Sequence, residues 1–231
     1  MLLTELHGYK QYKELTLPEI LIKLQDLGLP IKSGAFGICV LAPNAAYKIW
    51  VNDWAYDCYL KRVIMPLQGD AFVPKVLKKV RQIPNIFNGQ LPDINMLVME
   101  KLENNPGNTW THLVPKALYC DKSWAELITP KIMRLYKVPK PFIKAIEELP
   151  ENQKKDFVEW FDTCVETMQQ FTPDTNPKNV MKRGDVSVFI DSYYDRADVK
   201  SQSKGLVVTL TSQGNIKDWD KLGLGLIRKS N

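Results

Sequence analysis

Residues 151 to 171, "ENQKKDFVEWFDTCVETMQQF", constrain the fold more than any other stretch of the chain. Phe157, Trp160, Phe161, Cys164, Val165 and Met168 recur at helical spacing and form one apolar stripe. The spacing predicts an amphipathic helix that must bury this stripe against a core. That helix has to stop where "TPD" begins, because the residue before Pro173 is turned away from helical backbone. The next stretch, "NVMKRGDVSVFID", places short apolar runs on either side of an Arg-Gly-Asp turn and predicts two short strands. A strong helix running straight into a hairpin therefore organises the second half.

The first half has a different pattern. Residues 17 to 27, "LPEILIKLQDL", predict an amphipathic helix with Pro18 early and Gly28 just past its end. "IKSGAFGICVLAPNAAYKIWV" then alternates strand and turn, with a glycine turn and a Pro-Asn turn. Residues 53 to 67, "DWAYDCYLKRVIMPL", are expected to be helical, opened by Asp53. "FVPKVLKKVRQ" and "INMLVMEKLE" predict two further strands joined by a turn-rich connection. Beyond them, "SWAELITPKIMRLY" and "PKPFIKAIEEL" predict helices separated by prolines, and "GLVVTLT" near the end is a strand candidate. Strands first and helices second define an α+β chain.

Composition narrows the function classes. A net charge of +5, from 31 basic and 26 acidic residues, suits a polyanionic small ligand. It is too diffuse to argue for nucleic-acid binding, which shows a clustered basic face. The four cysteines form no CxxC pair and the chain has only His7 and His112, which argues against structural zinc. Scattered cysteines suit reduced thiols in a cytosolic protein, and no apolar run reaches membrane-spanning length.

Four pieces then carry chemistry, in order. Gly34 and Gly37 in "SGAFG" lie in a turn where bare backbone N–H groups can approach a polyphosphate. Lys48 sits inside the apolar strand "AYKIW", where a cation needs an anionic partner. "LVMEKL", with Glu100 and Leu102, runs from apolar strand into charge, and its exit backbone can meet an adenine edge. Last come Asp174, Asn179 and Asp191: Asn179 and Asp191 offer hard oxygen ligands for Mg²⁺ across a hairpin, and Asp174 can accept a hydroxyl proton. Each piece alone has a blander reading, as hairpin glycines, a snorkelling lysine, an Asx turn and a strand end. Jointly they keep one order.

In that order and spacing the chain resembles the protein kinase superfamily, and most closely the small early serine/threonine protein kinases of T-seven-like podophages. The residues carrying the resemblance are "GAFG", "AYKIW", "LVMEKL", D-x-x-x-x-N as "DTNPKN", and the aspartate ending "VFID". The resemblance implies a minimal two-lobed fold: an N-terminal helical segment over 1–28, an antiparallel-sheet lobe over 29–103, and a reduced, mainly helical lobe with a tail over 104–231. It implies ATP- and Mg²⁺-dependent phosphoryl transfer to host proteins in the host cytoplasm. Lys48 would hold the α- and β-phosphates, Asp174 would be the catalytic base, and Asn179 and Asp191 would hold the metal. A carboxylate should pair with Lys48; Asp57 is preferred and Asp53 stays open. Gly34, Gly37, Glu100 and Leu102 complete the nucleotide site.

The chain departs from the family pattern at several positions. Lys32 stands for the first loop glycine, Thr172-Pro173 for His-Arg, Asn176 for a lysine, and Ser192-Tyr193 for Phe-Gly. The usual activation segment has no counterpart. These departures support an alternative, a pseudokinase-like binding protein that blocks a host factor by contact. A small-molecule phosphotransferase shares the same acidic logic but brings a long helical C-terminal half. Neither the phosphorylated target nor the oligomeric state is written in the residues.

Overall fold

A computed structural model of the chain describes residues 30–33, 37–50, 53–83, 94–105, 110–168, 171–174 and 176–194. The expected helix over 17–27, Gly34 and the expected strand "GLVVTLT" lie outside the described residues. The described chain is mixed α and β and divides into two compact units, residues 30–53 with 76–101 and residues 54–75 with 102–194.

The first unit is a five-stranded antiparallel sheet. Its strands are β1 (Ile31–Ser33), β2 (Gly37–Leu41), β3 (Ala45–Trp50), β4 (Val76–Ile83) and β5 (Ile94–Glu100), in the order β1-β2-β3-β5-β4. Pro43 and Asn44 connect β2 to β3, closed by the Ala42 N–H donating to the Ala45 carbonyl at 2.9 Å. Proline suits the first position of such a turn because its φ is already set. β3 is central and buried on nearly every residue, with only Lys48 half-buried. A central strand covered on both faces carries apolar residues continuously, as "AAYKIW" does. The ladder from β4 to β5 shifts register twice, between Val76 and Lys78 and between Lys78 and Arg81, which bends this edge strand.

The second unit is built around a long helix. Its helices are α1 (Trp54–Tyr59), α2 (Trp110–Leu118), α3 (Trp124–Leu127), α4 (Pro130–Leu135), α5 (Lys140–Glu147) and α6 (Glu151–Thr167). Two short ladders join them. One is a three-stranded sheet of β6 (Glu103–Asn104), β8 (Val180–Arg183) and β9 (Val186–Phe189). The other pairs β7 (Thr172–Pro173) with β10 (Tyr193–Tyr194).

On α6, Phe157, Trp160, Phe161 and Cys164 are wholly buried and Met168 nearly so, while Val165 is only half-buried. The stripe is received by rings. Trp124 meets Phe157 and Phe161 edge-on, Phe72 meets Phe157 edge-on, and Trp160 stacks on Phe189 with centroids 4.1 Å apart. Edge-to-face pairs suit the ring quadrupoles and add about 0.5–1.5 kcal/mol each beyond burial.

Three details differ from the sequence expectation. "SWAELITPKIMRLY" forms two helices, because Pro130 starts α4 and Thr129 before it cannot stay helical. α3 opens with a capping box in which Ser123 and Glu126 exchange hydrogen bonds. α2 was not expected; its Pro115 disguises it, since proline removes one backbone donor inside the helix. Lastly, α1 belongs to the helical unit and not to the sheet unit in which its place in the sequence suggested it. It runs into a π-helical turn, Leu60–Ile64, closed by the Met65 N–H donating to the Leu60 carbonyl at 2.9 Å. Tyr56, Tyr59, Leu60, Val63 and Ile64 on this stretch are buried, while Trp54 at its start stays exposed.

Candidate functional site

The hairpin of β8 and β9 turns on Gly184 and Asp185, with Arg183 opposite Val186 and Val180 opposite Phe189. Gly184 has a φ of +59°, the left-handed value that the first position of a tight hairpin turn asks of a glycine. The register continues one step past the ladder, where the Ile190 N–H donates to the Asn179 carbonyl at 2.9 Å. Asn179 therefore stands opposite Ile190, with Asp191 one residue further.

Asp174 arrives from the other side. β7 pairs with β10, Pro173 facing Tyr193, and the Asp174 N–H donates to the Ser192 carbonyl at 2.9 Å. Asp191 thus lies between two residues held by backbone bonds, Ile190 to Asn179 and Ser192 to Asp174. The third side is closed by side chains: Asn179 Nδ2 donates to Asp174 Oδ2 at 2.7 Å. Asp174 Oδ1 meanwhile accepts the Asn176 N–H at 2.8 Å, and Asn176 Oδ1 accepts the Lys178 N–H at 3.1 Å. These are two successive Asx turns, the local bonding that Asp and Asn offer a loop. Pro177–Asn179 then make one 3-10 turn into β8. The structure brings Asp174, Asn179 and Asp191 into one small region.

The loop is anchored from behind. The Tyr59 hydroxyl donates to the Phe189 carbonyl at 2.9 Å and accepts from Trp160 Nε1 at 3.1 Å. Tyr59 thus grips the chain two residues before Asp191. Complete burial pushes the Tyr59 phenol well above its ordinary range, so it stays a neutral hydrogen-bonding group. Tyr193 stacks on Phe171, meets Tyr59 edge-on, and bonds the end of α6 through the Cys164 carbonyl at 3.1 Å and the Thr167 hydroxyl. Across the hairpin, Arg183 donates to the Ala71 carbonyl at 3.1 Å and to the Val73 carbonyl at 2.9 Å. Between them the Phe189 N–H donates to the Phe72 carbonyl at 2.8 Å. Sequence reasoning missed these anchors. Tyr59 and Trp160 read as plain core aromatics and Tyr193 only as a departure from Phe-Gly; the placement of hydroxyl and indole donors in an apolar face was the one hint of more.

The remaining expected residues are placed as follows. Lys48 lies in β3 between Cys39 of β2 and Leu97 of β5, and is half-buried. Gly37 opens β2 opposite Trp50, and Glu100 closes β5 opposite Ala45. Asp57 is half-buried on α1, in the helical unit, as is Leu102 just past β5. Lys48, Gly37, Glu100 and Asp53 belong to the sheet unit, and Asp174, Asn179 and Asp191 to the helical one.

Among the described residues no group of three or more His, Cys, Asp or Glu side chains is placed to hold a metal ion. The Asp191 carboxylate with the Asn179 amide oxygen forms a different donor set, made only of hard oxygens. It fits Mg²⁺, which takes one or two protein carboxylates and fills its shell with water and phosphate. Zinc would want imidazole or thiolate instead. No described helix is long and apolar enough to cross a membrane. Neither the protein-family models nor the curated proteins compared with this chain match it.

Proposed function

We propose that the protein is a minimal protein kinase, transferring the γ-phosphoryl group of ATP to serine or threonine of host proteins in the host cytoplasm. The observation that supports this is the arrangement of Asp174, Asn179 and Asp191: Asn179 is bonded to Asp174 by its side chain, and the residues flanking Asp191, Ile190 and Ser192, are bonded by backbone to Asn179 and Asp174. In this reading Asp174 accepts the proton of the attacking hydroxyl as its oxygen bonds to phosphorus and the bridging oxygen leaves with ADP. Asn179 through Oδ1 and Asp191 through its carboxylate would hold Mg²⁺, which supplies charge neutralisation on the phosphates when bound. Lys48 would meet the α- and β-phosphates, with Asp57 as its first candidate partner and Asp53 as the second. Gly34, Gly37 and the backbone around Glu100 and Leu102 would hold the rest of the nucleotide. A phosphotransferase of this kind works by positioning, and the bonding pattern supplies fixed positions.

The test is incubation with γ-labelled ATP and Mg²⁺, with and without host lysate, beside Asp191→Ala. Label on protein should fall by roughly a thousandfold in the variant, the scale of losing a group that acts in the transition state.

One observation favours a second reading, a pseudokinase-like protein that blocks a host factor. Both carboxylate oxygens of Asp174 already accept hydrogen bonds inside the loop, so both are engaged before any substrate hydroxyl arrives. ATP-dependent thermal stabilisation without any label transfer, under any divalent ion, would decide for it.

A further inference from the structure

The helical unit carries a second conspicuous surface, on α4 and the turns around it. From Leu127 to Ile146 the sequence holds Lys131, Arg134, Lys137, Lys140 and Lys144 and no acidic residue. Those five cations equal the net charge of the entire chain, +5. None of the first four makes an ion pair among the described residues; Lys144 meets Glu148 at 3.5 Å on an exposed face. Arg134 is turned back on its own helix, Nε donating to the Pro130 carbonyl at 3.1 Å.

The same stretch exposes apolar side chains that folding leaves unused. α4 buries no residue at all. Leu135 is 66% exposed, Tyr136 43% and Ile128 39%. Single exposed apolar residues are ordinary, but three of the five large ones exposed among the described residues fall within nine positions. Lys131 and Leu135, one turn apart, share a face of α4.

The backbone adds an independent sign. α4 ends in a Schellman motif, the Val138 N–H donating to the Met133 carbonyl at 3.0 Å, with Lys137 at the left-handed position, φ +53°. Glycine takes that position by default because a β-carbon is strained there. This chain spends a lysine on it, at the centre of the cationic stretch.

We infer that this face docks a protein segment that is acidic and carries apolar side chains. Leu135, Tyr136 and Ile128 form the apolar contact, and Lys131, Arg134, Lys137 and Lys140 form a cationic rim that steers and registers the partner. Charge and chemistry argue against a second copy, the chain's own end, nucleic acid and a membrane. A second copy would set the same cationic patch against itself in a two-fold interface. Residues 195–231 hold seven basic against four acidic residues and are repelled as well. Nucleic acid gives exposed leucine and isoleucine nothing to do against phosphate, and a six-residue helix is too short to lie in a membrane surface. The inference stands apart from phosphoryl transfer: it holds for a kinase or for a binding protein.

The test is fluorescence anisotropy with the full chain and a labelled acidic peptide in which glutamates alternate with leucines. Saturable binding should weaken by about tenfold or more in Lys131→Glu/Arg134→Glu/Lys137→Glu and, separately, in Leu135→Ser/Tyr136→Ser. Both variants should melt with the wild type, since no substituted side chain is buried. The proposal fails if the peptide does not bind, or if the serine pair leaves binding unchanged. It fails equally if oligoglutamate of the same length binds as well, so that charge alone explains the contact. Tighter binding of a single-stranded oligonucleotide, or of phosphatidylglycerol vesicles, would overturn it in favour of those partners.

Discussion

Two short, turn-rich stretches of the helical unit are held in opposite ways. Between Thr172 and Tyr194 the strands are bonded to distant parts of the unit: Phe189 to Tyr59 and Phe72, Arg183 to Ala71 and Val73, and Tyr193 to the end of α6. From Ile128 to Lys137 the chain bonds mainly to itself, and α4 buries nothing. The first arrangement suits chemistry, where a small displacement of a reacting group is expensive. The second suits recognition, where apolar side chains stay exposed until a partner covers them. Stability and function should therefore separate along this line.

The strongest way to break the comparison is Trp160→Ala. It removes the ring stacked on Phe189 and the donor to Tyr59 together, and should cost about 3–5 kcal/mol by urea unfolding. A loss under half of that would mean the hairpin does not depend on α6. Tyr59→Phe is gentler, keeping the ring and deleting the hydroxyl. It should cost about 1–2 kcal/mol and leave the Phe189 carbonyl and the Trp160 indole N–H unmatched. If Tyr59 positions Asp191, label transfer in this variant should fall by about tenfold or more, beyond anything its melting temperature explains.

Asp70 sharpens the picture at the turn that the hairpin clamps. Its Oδ1 accepts the Phe72 N–H at 2.7 Å, yet burial, with Asp156 and Glu159 nearby, pushes its carboxyl from 3.8 up to about 7. The folded state thus favours the protonated acid. Its stabilising contribution is full below about pH 4 and is lost as pH rises through about 7. Asp70→Asn, which keeps an acceptor oxygen, should therefore gain about 1 kcal/mol at pH 8, after allowing for solvent screening, and nothing at pH 4. A variant equally stable at both values relative to wild type would show that Asp70 ionises freely. The smallest effect belongs to the other stretch. Leu135→Ser should change unfolding by less than about 0.5 kcal/mol, because the side chain leaves little of itself behind on folding.

How much of this was legible in the residues divides along the same line. Asp174, Asn179 and Asp191 could be grouped from spacing because hairpin register and Asx turns are local rules that act over a few residues. The apolar stripe of α6 was legible for the same reason. The split at Thr129-Pro130 was written in the proline, whereas Pro115 concealed α2 because proline inside a helix is the exception that pattern reading discounts. Tyr59 could not be found that way. Nothing near it in sequence announces an acceptor at Phe189, and long-range hydrogen bonds leave no periodic trace. Grouping α1 with the helical unit was hidden likewise, since its apolar face would suit either neighbour.

The bond between Tyr59 and Phe189 spans 130 positions. The site's own bonds all close between Asp174 and Ser192 and can form as soon as the hairpin collapses, whereas this one must wait for a very long loop to shut. During synthesis the phenol of Tyr59 leaves the ribosome long before its acceptor exists, and water must serve in the meantime. Maturation of the site is therefore expected to be late and abrupt: a chain truncated before Phe189 would hold α1 and all of α6 but neither the acceptor for Tyr59 nor the segment that carries Asp191.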